Sequence, residues 1–264
     1  PAVPKVLKSQ ETQQLLTVTP NDPRFNEQWA HQNIESQFAW DVHQGSPSII
    51  IAIADTGVDY NHEDLNTNMW LNSNEIPGNG IDDDNNNYVD DYRGWDFVGN
   101  NIWNPVADND PMDELGHGTH VAGIAAAVTD NNIGIAGMCW YCKIMPLKIG
   151  DGSGYVSGDA GATAWYYAVQ NGAKIINNSW GGGGYSATLE NAALYAYSQG
   201  AFIVAAAGNR GQNTPFYPAN YENVFSVAAS NIDNVRSWFS NFGSWVDVAA
   251  PGENVYSTFP NHPF

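Results

Sequence analysis

Ile49-Ile50-Ile51-Ala52-Ile53-Ala54 is an unbroken apolar run that stops at Asp55-Thr56-Gly57. An apolar run without alternation is how a strand buried on both faces of a parallel sheet reads. Further along, helical and strand-like segments take turns. Helices are predicted over 117–128, 157–171 and 187–199, the last two stopped by Gly172 and Gly200. Strands are predicted over 144–149, 174–178, 201–206 and 224–229. Strand and helix in alternation imply crossover connections, hence an α/β fold: a doubly wound, mostly parallel sheet with helices on both faces. Ligands of such sheets gather at the carboxyl ends of the strands. Asp55, Ser179 and Asn209 fall just past predicted strand ends, and His117 opens a predicted helix.

Two stretches break this pattern. Residues 72–113 are dense in Asn, Asp and Gly with little periodicity. A structureless loop that long needs something to tie it down, and a bound cation is the expected tie. Residues 1–20 lack periodicity and read as a tail or the remnant of a pro-segment, leaving 21–264 as one domain. No internal repeat or linker divides it.

Charge sharpens the picture. The chain has 28 acidic residues against 9 Lys plus Arg, a net charge of −19. Such a field repels nucleic acid and anionic membranes and suits a hard cation such as calcium. No apolar run reaches the length of a membrane span. The chain starts at Pro1 without a visible signal peptide, which points to a processed or excised segment. Its two cysteines, Cys139 and Cys142, are spaced as in redox dithiols and zinc knuckles. The segment after them reads as a strand rather than a helix, and no other Cys completes a zinc set. A local disulfide in an exported protein is the favoured reading; closing so short a loop stabilises little.

Amide hydrolysis by a serine needs a base for the hydroxyl, a carboxylate to hold that base, and donors aimed at the oxyanion. Three segments carry those residue types: Asp55-Thr56-Gly57-Val58-Asp59, Gly116-His117-Gly118-Thr119-His120-Val121-Ala122-Gly123, and Ala205-Ala206-Ala207-Gly208-Asn209. In this order they resemble the subtilisin-like serine protease family (subtilases, peptidase family S8), and the resemblance runs from about residue 21 to 260. It implies that Asp55 orients the histidine, His117 is general base and then general acid, and Asn209 donates its amide to the oxyanion. It implies substrate contacts at Gly152-Ser153-Gly154, which would pair with an extended peptide, and at two walls of a specificity pocket. Those walls are Ser179-Trp180-Gly181 and Ala207-Gly208. Phe216 falls near the floor of that pocket. If its ring points inward, large side chains before the scissile bond fit poorly.

The family's nucleophilic Ser lies in a G-T-S-M-A-x-P segment that this sequence does not contain. Residues 246–252 and 256–260 resemble the approach to it, and the chain ends at Phe264. The expectation is a sequence truncated before the Ser, with a nicked half-enzyme and an inactive relative as alternatives. The missing part would carry a helix that packs on the sheet, so the chain alone would be inactive and expose apolar surface.

Calcium is expected at one or two sites, with a third open. In Asp82-Asp83-Asp84-Asn85-Asn86-Asn87-Tyr88-Val89-Asp90-Asp91, oxygen ligands recur at alternate positions. Asp82, Asp84, Asn86 and the Tyr88 carbonyl match the first half of an EF-hand loop, and Asp90 or Asp91 closes the shell in place of the absent Glu. A second site follows from the resemblance: side chains of Asp22, Asp64 and Asn131, with carbonyls of Val128, Ile133 and Ile135. Asp108, Asp110 and Asp113 form a third, or merely tune the approach to His117. The function these readings support is a secreted, monomeric, calcium-stabilised serine endopeptidase. It would act on extended polypeptides, with its own pro-segment as a candidate inhibitor. A calcium-binding module without chemistry and a catalytically dead scaffold are the alternatives.

Overall fold

The structure, a computed structural model, describes residues 17–261. The apolar run becomes β1 (Ile50–Asp55). After it come β2 (Trp95–Asp96), α3 (His117–Ala126), β3 (Lys143–Lys148), α4 (Gly158–Gln170), β4 (Ile175–Asn178), α5 (Ala187–Ser198), β5 (Phe202–Ala206), β6 (Val224–Ser230) and β7 (Val248–Pro251). The seven strands form one sheet in the order β2-β3-β1-β4-β5-β6-β7, every neighbouring pair parallel. Chain order reverses around β1, which puts the end of that strand where α/β sheets place their ligands.

The two faces of β1 and β3 feed two different cores. Ile51, Ile53 and Ile144 pack with Ala122 and Ala126 of α3. Ala52, Ala54, Met145 and Leu147 point the other way, against Trp165 and Ala168 of α4 and Ala193 of α5. Both faces are therefore buried, which is why the sequence shows no polar alternation there. Sequence-encoded caps set the helix ends. The Ser157 hydroxyl accepts from Ala160 N at 3.2 Å and the Ser186 hydroxyl from Leu189 N at 3.3 Å. Gly172 and Gly200, both at φ +83°, take the left-handed turn that ends α4 and α5.

Strands β4 to β6 are asymmetric. Ile176, Ile203, Ala205 and Val224 are buried in the α4–α5 core. Their alternates on the α3 side, Asn177, Val204, Ala206, Val227 and Ala229, stay half-exposed. Beside them a groove of about 350 Å³ runs between Val121, Ile124 and Ala125 of α3 and Asn177, Ser179, Ala250 and Tyr256.

Two short helices that the sequence did not announce, α1 (Trp29–Asn33) and α2 (Ser36–Val42), precede β1. They help form a small third core of Phe25, Trp40, Ala136 and Trp140. Val18 packs on that core, and its amide donates to Asp41 at 2.8 Å. Of the residues read as a tail, 1–16 lie outside the described residues. Cys139 and Cys142 are joined as a disulfide. Among the described residues no helix is long and apolar enough to cross a membrane.

Candidate active site

A cleft of about 370 Å³ opens at the carboxyl ends of β1, β4 and β5. Asp55, His117 and Asn209, from segments far apart in the chain, all line it. Asp55, the last residue of β1, is 1% exposed. Its Oδ1 accepts from Thr56 N at 2.8 Å and lies 2.6 Å from His117 Nδ1. His117 is the first residue of α3, after Gly116 at φ +103°. Its imidazole is half-exposed, and among the described residues Nδ1 is its only hydrogen-bonded ring atom. The hydrogen bond to Asp55 holds the His117 pKa above its ordinary value against the opposing effect of burial, and the charges of Asp55 and Asp113 add to the rise.

Small residues make this approach possible. A Cβ at Gly118 would collide with the Gly57 carbonyl and sit 3.1 Å from Asp55 Cβ. The HGTH segment therefore reads as a steric requirement: the first turn of α3 has to lie flat on the end of β1. Asp113 fixes the two together. It is fully buried, and its carboxylate accepts from the Thr56 hydroxyl (2.9 Å), Gly116 N (2.8 Å), Thr119 N (2.9 Å) and the Thr119 hydroxyl (2.6 Å). The Thr56 hydroxyl in turn accepts from Gly118 N at 3.0 Å.

Asn209 follows β5 on an exposed turn, and its side-chain amide makes no hydrogen bond among the described residues. Ser179, Trp180, Gly181, Gly208 and Gly154 also line the cleft. Gly152, Ser153 and Ala207 do not. Gly152 and Ser153 sit at the exposed tip of a turn between Gly150 and Val156, and the Ser153 hydroxyl is spent on Asp151. Ala207 is buried behind the wall, with its amide donating to Val227 O at 2.8 Å. Phe216 does point inward. Its ring would meet a Cβ placed on Gly181 and lies 3.0 Å from one placed on Gly208, so it fills the space between the two walls.

The metal-ligand expectations divide. Asp22, Asp64 and Asn131 come together: Asn131 Nδ2 donates to Asp64 Oδ1 at 2.9 Å, and Asp130 N donates to Asp22 Oδ2 at 2.8 Å. Asp22 Oδ1 is buried without a partner among the described residues. Burial pushes the Asp64 carboxyl up to about 6. Of the residues expected to give carbonyls, Ile135 donates its amide to Asp64 Oδ2 and Ile133 its amide to Asn131 Oδ1. Val128 donates its amide to the Asp64 carbonyl. Asp110 N donates to Asp108 Oδ1 at 2.9 Å, but among the described residues these two and Asp113 do not converge as a metal-ligand group: Asp108 also pairs with Asp96 through the backbone, Asp110 accepts from the Tyr60 hydroxyl, and Asp113 joins Thr56 to Thr119.

In the acidic loop, Asn86 N donates to Asp82 Oδ1 and Asp84 Oδ1. Asp91 stands apart from that pair, with its carboxylate taken up by Tyr167, Asn72 and Asn86. The Tyr88 ring is packed edge-on against Trp95 and Tyr167.

Known proteins resemble this chain. The chain is 42% identical over 247 residues to thermitase of Thermoactinomyces vulgaris, covering 93% of this chain and 78% of that protein. It is 43% identical over 249 residues to a thermophilic serine proteinase of Bacillus sp. strain AK1, covering 93% of this chain but 54% of the relative. An extracellular protease of Xanthomonas campestris is 38% identical, and this chain spans 46% of it. A solved protease structure from Pseudoalteromonas arctica superposes with a TM-score of 0.73 at 32% identity, covering 89% of this chain and 73% of that one. Residues 46–263 match the subtilase family (peptidase S8), and the chain belongs to that family.

Proposed function

We propose that this chain supplies the carboxylate, base and oxyanion donor of a secreted serine endopeptidase whose nucleophilic Ser lies on a segment outside these 264 residues. The observation that carries this reading is the 2.6 Å contact between Asp55 Oδ1 and His117 Nδ1, inside a cleft that Asn209 also lines. Asp55 accepts from Nδ1–H, which leaves Nε2 as the proton acceptor. A hydroxyl placed at Nε2 gives up its proton as it attacks the amide carbon, and Asp55 stabilises the imidazolium that forms. His117 then returns the proton to the departing amine. The oxygen that gains charge accepts from the free amide of Asn209. Loss of such a donor costs roughly 3–4 kcal/mol, a magnitude known from a member of this family.

No serine among the described residues is hydrogen-bonded to His117. The Ser257 hydroxyl donates to His120 O at 2.6 Å, and the Ser179 hydroxyl accepts from Asn177. The groove between α3 and the half-exposed face of β4–β6 shares Ser179 with the cleft, so a helix laid in it would reach the space beside His117. Parallel sheets are covered on both faces, which favours this occupant.

Calcium fits the Asp22–Asp64–Asn131 cluster. The donors are all hard oxygens, Asp22 and Asp64 are both buried and near enough for the charge of one to be felt at the other, and one Asp22 oxygen has no other partner among the described residues. A bound ion there would neutralise the pair and tie residues 22, 64 and 131 together. Secretion agrees with the disulfide and with the extracellular protease among the relatives.

A fluorophosphonate serine-hydrolase probe, applied to the chain extended through its Ser-bearing segment, tests the catalytic reading. The expected result is covalent labelling that His117→Ala abolishes. An extended protein that stays unlabelled while folded overturns it.

A further inference from the structure

Residues 72–91 hold the densest group of carboxylates away from the cleft, and one of its members was not visible in the spacing of the loop. Glu75 is 5% exposed. Its Oε1 accepts the backbone amides of Asp83 at 2.9 Å and Asp84 at 3.2 Å. Its Oε2 is buried with no hydrogen-bond partner among the described residues. One carboxylate oxygen from each of Glu75, Asp82 and Asp84 lies within 4.8 Å of the others. A buried carboxylate with one oxygen lacking a donor, grouped with two further carboxylates, is costly to desolvate, and a cation removes the cost.

We propose that Glu75, Asp82 and Asp84 form a divalent-cation site, with calcium as the ion. The donors are hard oxygens, without His or Cys among them, and that chemistry selects calcium over zinc or copper. The ligand set differs from an EF-hand read along the loop: the closing carboxylate is Glu75, which comes before the Asp run. Asp91 is the anchor behind the site. It accepts from the Tyr167 hydroxyl of α4 at 2.6 Å, from Asn72 Nδ2 at 3.0 Å and from Asn86 Nδ2 at 3.0 Å. Asn72 Nδ2 also donates to Asp84 Oδ2 at 3.0 Å. The ion therefore fastens the long loop to α4 through Asn72, Asp91 and Tyr167. This site stands independently of the proteolytic reading.

Isothermal titration of calcium into the chelator-stripped chain tests the site, with Glu75→Gln and Asp82→Asn compared with wild type. Circular dichroism checks folding; Asp82 is only half-buried, so its variant carries the test if the Glu75 variant unfolds. The expected result is that both variants weaken the same single calcium equivalent by at least about tenfold, through loss of ligand charge. The loop around residues 75–84 should also gain calcium-dependent protection from proteolysis in wild type only. Wild-type protein that binds no calcium, or a folded variant that keeps the full wild-type stoichiometry and affinity, overturns the proposal.

Discussion

Phe216 divides two spaces of similar size. The cleft of about 370 Å³ lies on one side and a second cavity of about 390 Å³ on the other, and Phe216 and Arg210 line both. With the ring wedged between Gly181 and Gly208, little depth remains for the substrate side chain next to the attacked carbonyl. Wild-type enzyme should therefore favour Ala over Phe there. Phe216→Ala removes the partition and joins the two spaces. Burying a large apolar side chain that was previously excluded gains about 2 kcal/mol, equivalent to a factor of about 30 in kcat/KM. The assay is kcat/KM for two peptides that differ only as Phe or Ala before the scissile bond, measured on wild-type and Phe216→Ala forms of the Ser-bearing protein. The Phe-to-Ala ratio should rise about 30-fold in the variant. Equal rates for both peptides in wild type would refute the reasoning, because a filled pocket has to discriminate.

Asp55→Asn should lower the His117 pKa, read from its ring protons by NMR in this chain, since the hydrogen bond to Asp55 is the main cause of the rise. Because the folded-state value is raised, the pair stabilises fully below the unfolded value and the contribution disappears as pH rises through the folded one. The stability lost in Asp55→Asn should thus be larger near about pH 6 than near about pH 9. Gly118→Ala should cost on the order of 3 kcal/mol in denaturant melts and pull His117 away from Asp55, because the added methyl meets the Gly57 carbonyl. Stripping calcium from a site saturated at about 100 times its Kd removes about 2.7 kcal/mol, a fall in melting temperature of about 5–10 °C. Calorimetry with and without chelator checks it.

What the sequence disclosed follows from the physics of each element. β1, β3 and α3 to α5 were readable because long buried runs and capped helices leave periodic marks. β2 has two residues, paired with Leu147 and Lys148 of β3, and two residues carry no period. β7 is an Ala-Pro edge strand, half-exposed, so its burial leaves no pattern. α1 and α2 are five and seven residues long, held by the aromatic contacts of Trp40 rather than by helical periodicity. The corner where Asp55 meets His117 and the wall beside it were legible because Gly118 and Gly208 are required by close approach. Glu75 and the role of Asp91 were not, because their partners return from Asp82–Asp84 and from Tyr167 on α4. Asp113 gave no local sign that it would join Thr56 to Thr119.

Cleavage of an unfolded polypeptide by the Ser-bearing protein, followed by mass spectrometry, tests most directly that Asp55, His117 and Asn209 form a proteolytic centre. The predicted result is cleavage at internal peptide bonds, slowed about a millionfold by His117→Ala, a loss known from a relative, and about 100- to 1,000-fold by Asn209→Ala. Internal cleavage that proceeds at wild-type rates in folded His117→Ala protein would contradict it.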